Sequence, residues 1–223
     1  PGCSPRAGRL RLPLEPRPKG RQSRRMNQAA ASIDPAAYFH VRIVLGMVLG
    51  LSIARLLSGV AVFVQHPGRY RISWLHLGWT LLLFVLVIHF WWFEFQLRGI
   101  ERMTFPVYFF VLLYCSAYFI LCTLLYPNDV AEYDGYEDYF LSRRKWFFGL
   151  LAAVQAIDLI DTAIKGRDYF SSLGIEYPLR NASLAALSVA AIFIRGRRFH
   201  LGFVAAAIVY EAIWIYRLYD DLK

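Results

Sequence analysis

Apolar residues in this chain gather into six runs, at about 37–65, 74–97, 105–126, 146–164, 180–194 and 199–217, separated by short stretches rich in Arg, Asp, Gly and Pro. An α-helix rises about 1.5 Å per residue, so roughly 20 apolar residues cross the hydrocarbon core of a bilayer. The first run is long enough to tilt or protrude, and the fifth is short for a span. The pattern predicts an all-α integral membrane protein, a bundle of about six transmembrane helices with short loops, with five spans as the alternative count. Aromatic residues cluster where the runs end (Tyr70 and Trp74, Trp91 and Trp92, Tyr126, Trp146, Trp214 and Tyr216), as expected of side chains that settle at a membrane interface. The segment 127–145 begins acidic, ends in Arg143, Arg144 and Lys145, and carries Tyr133, Tyr136, Tyr139 and Phe140, which predicts a short surface helix and a place where another protein could dock.

Composition strengthens this picture: 57% of the 223 residues are hydrophobic and mean hydropathy is +0.39, an excess that needs a solvent other than water. The domain is therefore expected to cover 29–223. Residues 1–28 differ sharply, with eight Arg or Lys, one Glu and no apolar run, and are expected to be a disordered basic tail whose native part starts at Met26. Residues 1–25 hold eight bases and one acid, so without them the net charge falls from +9 to +2, and the basic pI carries no indication of a nucleic-acid partner.

We call the face holding the amino terminus side A and the other side B. From Met26 onward, six spans place eight Arg or Lys on each side, and only the basic tail tips the orientation toward an interior amino terminus. The expected location is a bacterial inner membrane, a setting in keeping with segments such as HPGRYR and YEDYFLSRRKWFFG.

Ionisable residues inside the runs carry the functional signal. Arg55 lies in the first, His89 and Glu94 in the second, Asp158 and Asp161 in the fourth and Glu211 in the sixth. A charge at a helix centre costs about 2.5–3.5 kcal/mol on insertion scales, so each should face the bundle interior and find a partner. All four carboxylates fall in the last third of helices that run from side B to side A, which gathers them at one level. Glu94 precedes Arg98 by four residues and Asp161 precedes Lys165 by four, so both could pair along their own helix. Asp158, Glu211 and Arg55 have no such neighbour, and a shared Arg55–carboxylate cluster is the economical expectation. Gly46, Gly50, Ala54 and Ser58 form a small-residue stripe on the same helix as Arg55, suited to close packing within the chain or between two copies.

Competing chemistries are thinner. His76 and His89 are 13 residues apart, a haem-like separation, and His200 starts the sixth run near the level of His76, but His40 and His200 stand at run ends and His40 falls well short of the depth of His89; no cofactor is expected. Asp158 and Asp161 form a D-x-x-D that a metal-dependent lipid or prenyl transferase could use, yet a lone pair beside Lys165 is a weak motif. Cys115 and Cys122, seven apart on one helix face, read as small core residues. There is no G-x-S-x-G, H-E-x-x-H, P-loop or dinucleotide fingerprint. The expected function is a small proton-linked transporter or ion-conducting protein using Arg55, His89, Glu94, Asp158, Asp161 and Glu211. The alternative is a non-catalytic membrane partner or assembly subunit whose charges serve packing.

Overall fold

In the computed structural model the described residues, 2, 35–100 and 103–220, are helical or in short turns and contain no strand. The tail reading for 1–28, Met26 included, lies outside them apart from Gly2, as do Cys3, Arg102 and Lys223. The helices are α1 (Pro35–Gln65), α2 (Trp74–Phe93), α3 (Phe105–Leu125), α4 (Tyr136–Lys165), a short α5 (Arg167–Ser172), α6 (Glu176–Phe193) and α7 (Arg197–Asp220). Five are long and apolar enough to cross a membrane: α1, α2 with its extension, α3, α4 and α7.

Local sequence sets the helix ends. The Ser73 hydroxyl accepts from the backbone N–H of His76 and opens α2. Pro106 sits in the first turn of α3, where its missing N–H costs nothing. Past Phe93, α2 tightens into a 3-10 segment, Glu94–Gly99. Gly166, at φ +125°, breaks the chain between α4 and α5 in a conformation that a side chain would strain. The expected surface helix within 127–145 is instead the first turns of α4, which starts ten residues before the apolar run. Tyr136, Tyr139 and Phe140 recur at i, i+3 and i+4 and bury one face, so these turns join the bundle despite Arg143, Arg144 and Lys145.

Helices α4 and α6 pack most extensively, followed by α1 with α3 and α2 with α7, while α6 and α7 touch only sparingly. Near side B the core is aromatic: Trp79 is fully buried, with the rings of Phe147, Phe148 and Phe203 at 5.1–5.3 Å in edge-on contact. Cys115 and Cys122 are buried free thiols. Gly59 lets α1 meet the end of α3, since a Cβ there would stand 2.3 Å from the Tyr126 ring. The expected packing role of the small-residue stripe within the chain does not hold. Gly50, Ala54 and Ser58 are exposed, and a Cβ at Gly46 or Gly50 would meet open space, because α1 turns Leu45, Leu49, Ser52 and Leu56 inward instead.

Candidate functional site

The four carboxylates of the spans do converge near side A, as their positions along α2, α4 and α7 predict, but their partners differ from those expected. On α4, Asp158, Thr162 and Lys165 repeat at the helical period, with Asp161 one step to the side, so one face of the helix carries the cluster. Lys165 reaches Glu94 Oε1 at 2.7 Å and Asp161 Oδ2 at 2.5 Å, and all three side chains are at most 1% exposed. The Asp161–Lys165 pair along the helix thus forms. The Glu94–Arg98 pair does not, and Arg98 is exposed. The cause is the 3-10 segment: at three residues per turn, positions four apart no longer share a face.

Glu211 of α7 bridges two bases. Its Oε1 lies 2.5 Å from His89 Nδ1, and its Oε2 accepts from Arg180 of α6. The Arg180 guanidinium also stands 5.4 Å from the Trp214 ring. Asp158 is held by neutral donors. Tyr114 donates to Oδ1 at 2.9 Å, while Tyr177 and Asn181 each donate to Oδ2 at 2.7 Å. The Tyr177 hydroxyl is also 2.6 Å from the Thr162 hydroxyl, so five polar side chains from three helices form one network.

A cavity of about 30 Å³ lies among Asp158, His89, Arg180, Tyr114, Tyr177 and Gln155. That is room for one or two water molecules with several polar partners. Asp158 is half-buried, whereas Tyr114, Tyr177 and Asn181 are buried. The Oδ1 of Asn181 and the Oε2 of Glu94 have no hydrogen-bond partner among the described residues.

Arg55 does not join this cluster, a correction to the expected Arg55–carboxylate pairing. It lies near side B, donating to the Tyr126 carbonyl at 2.5 Å and to Asn128 Oδ1 at 2.8 Å. His76 Nε2 is 2.8 Å from the Leu125 carbonyl, so the two residues together satisfy the acceptors that the end of α3 leaves open. A helix terminus therefore holds Arg55 in place of the carboxylates near side A. The residues that complete the site, Tyr114, Tyr177, Arg180 and Asn181, are absent from the sequence expectation. A signal was present: Tyr177, Asn181, Leu184 and Ser188 repeat at i, i+4, i+7 and i+11, which marks Y-P-L-R-N-A-S as a turn of helix with a polar inward face rather than a loop.

The D-x-x-D pair divides, Asp158 toward α3 and α6 and Asp161 toward Lys165. Among the described residues no three His, Cys, Asp or Glu side chains come together as metal ligands. His76, His89 and His200 engage the Leu125 carbonyl, Glu211 and the Ile194 carbonyl respectively, and His40 and His66 are exposed.

The chain matches no protein-family model, and no curated protein or solved structure is detectably similar to it.

Proposed function

We propose that the protein is a small proton-linked transporter or ion-conducting protein of six spans, with α6 as the short sixth, residing in a bacterial inner membrane with its amino terminus inside. Its working part is the side A cluster built on Asp158, Glu211, His89 and Arg180, with Glu94, Asp161 and Lys165 beside it. The observation that carries this reading is a charge imbalance next to a water-sized cavity. Among the described residues four carboxylates, Glu94, Asp158, Asp161 and Glu211, face two permanent cations, Lys165 and Arg180. In a low-dielectric interior only protons or a bound cation can balance the difference. Asp158 suits the exchanging role because its donors are neutral and it is the least buried of the four.

Tyr177 links Asp158 to Thr162, and His89 lines the same cavity while touching Glu211, which gives a proton hydroxyl and imidazole stations. The 18 residues of α6 rise about 27 Å, close to the roughly 30 Å hydrocarbon core, and Glu176 and Arg180 fall in its first turns. These lengths support the sixth span.

The test is proton flux in liposomes loaded with a pH-sensitive dye and driven by a potassium diffusion potential. Wild-type protein should acidify the lumen faster than protein-free vesicles, and Asp158→Asn should cut that rate about tenfold or more while thermal stability stays near wild type. Flux no greater than in empty vesicles, or equal in wild type and Asp158→Asn, would remove the basis of the proposal.

A further inference from the structure

Helices α6 and α7 are each anchored elsewhere, α6 along α4 and α7 along α2, and they splay apart from one another. The gap is a groove of about 440 Å³ walled by Leu179, Ser183, Leu187, Phe203, Ala206 and Ala207. The volume lies within the range of ligand-holding clefts. Small residues make the room: Ser183 on one wall and Ala206 and Ala207 on the other stand where larger side chains would close it. Leu179 and Leu187 form its outer lip and are 63% and 40% exposed, so the groove opens sideways onto the bilayer rather than onto water.

Its length is informative. From Glu176 to Leu187 the helix rises about 16 Å, half of the roughly 30 Å hydrocarbon core. The groove thus runs the depth of one leaflet, from the side A interface to the bilayer middle. Its interfacial end is polar. Glu176 and Arg217 pair there at 2.8 Å with side chains 38% and 59% exposed, and the Tyr210 hydroxyl donates to Glu176 at 3.2 Å. The pair is bidentate, Arg217 donating to Glu176 Oε1 at 2.9 Å and to Oε2 at 2.8 Å, and both charges stay exposed, so a headgroup can add to the pair without breaking it. One carboxylate beside one guanidinium complements a head that carries one ammonium and one phosphate.

We propose that this groove is a binding site for a zwitterionic phospholipid of the side A leaflet, phosphatidylethanolamine in chemical type. One acyl chain lies between α6 and α7, the phosphate meets Arg217 and the ammonium meets Glu176. Arg180 borders both the groove and the polar cavity, so the seated chain covers the outer side of the Arg180–Glu211 ion pair and separates it from free lipid. The site stands independently of proton movement through the cluster.

The experiment uses the full chain in vesicles of phosphatidylethanolamine and phosphatidylglycerol containing a trace of phosphatidylethanolamine with a mid-chain diazirine. After illumination, labelled peptides are mapped. Residues 179–187 and 203–210 should label several-fold more than exposed positions on other helices, such as Met47 and Leu113. Ala207→Trp, which fills the groove, should bring them down to that level and leave Met47 and Leu113 unchanged. Ala206→Leu, at an exposed position that any folded chain tolerates, should lower labelling in the same direction. A phosphatidylglycerol photolipid should label the groove no more than the other helices. Equal labelling of groove and other lipid-facing positions would show an ordinary lipid annulus and overturn the site. Labelling indifferent to both substitutions would do the same, and equal capture of the two headgroups would overturn the zwitterionic assignment.

Discussion

The two ends of the bundle are held together by different physics. Toward side B, Trp79, Phe140, Phe147, Phe148 and Phe203 meet ring to ring, and attraction is spread over many small contacts of interchangeable kind. Toward side A, a few named bonds do the holding: Lys165 to Glu94 and Asp161, Arg180 to Glu211, and three donors to Asp158. Lipid tails are as apolar as phenylalanine, so the hydrophobic effect favours neither end. What remains is packing at one and hydrogen bonding at the other. The aromatic end should therefore tolerate changes of shape that keep volume. The polar end should tolerate neither the loss of a cation nor the loss of a bonded hydroxyl.

The largest expected effect tests the polar end. Lys165 is the only cation in contact with Glu94 and Asp161 among the described residues. Lys165→Met leaves two buried carboxylates facing each other and should cost about 3–5 kcal/mol, read as a large fall in thermal stability in detergent. Adding Glu94→Gln and Asp161→Asn should recover most of the loss, because two neutral amides, each able to donate and accept, replace an orphaned pair of charges. A mild effect of Lys165→Met alone would mean that water or protons already compensate these acids, and the contrast between the two ends would shrink.

Next comes a matched pair of single-ring changes. Tyr177→Phe deletes one hydroxyl and hardly alters volume, yet that hydroxyl serves Thr162 and both a carboxylate oxygen and the backbone carbonyl of Asp158. A cost of about 1–3 kcal/mol follows from the partners it strands. Phe148→Leu, in the aromatic end, keeps the position apolar and should cost less than about 1.5 kcal/mol. Equal costs for the two variants would show that packing, and not bonding, holds both ends.

The same contrast explains which features were legible in the sequence. Helix positions were, because a bilayer demands long apolar runs whatever they pack against. The limits expected for α1, α2 and α3 fall within a few residues of those observed. The start of α4 was not, since its first ten residues are too charged to read as a span and join the bundle only through Tyr136, Tyr139 and Phe140. Nor was the inward side of an evenly apolar helix such as α3, where lipid and core select the same residues. At the polar end, the level of the acids followed from helix direction alone. Their partners did not. Pairing depends on how α6 lies against α4, and Arg180 and Asn181 stand at the margin of a short run where charge reads as loop.

The smallest expected effect is an absence of coupling, and it separates the two ends most directly. Arg55 satisfies the end of α3 near side B, and no contact joins it to Asp158 or Glu211 among the described residues. Arg55→Leu should destabilise by itself, because the Tyr126 carbonyl loses its donor. Asp158→Asn acts on Tyr114, Tyr177 and Asn181, which share no partner with Arg55. The two costs should add within about 0.5 kcal/mol in a double-mutant cycle. The control cycle pairs Arg180→Leu with Glu211→Gln, whose side chains do meet, and its coupling should fall in the range of about 0.5–3 kcal/mol. Both cycles remove one cation and neutralise one acid, so they change total charge alike and differ only in whether the two groups touch. Coupling between Arg55 and Asp158 above about 1 kcal/mol would place both in one charge network, and the division of the bundle into a packed end and a bonded end would fail.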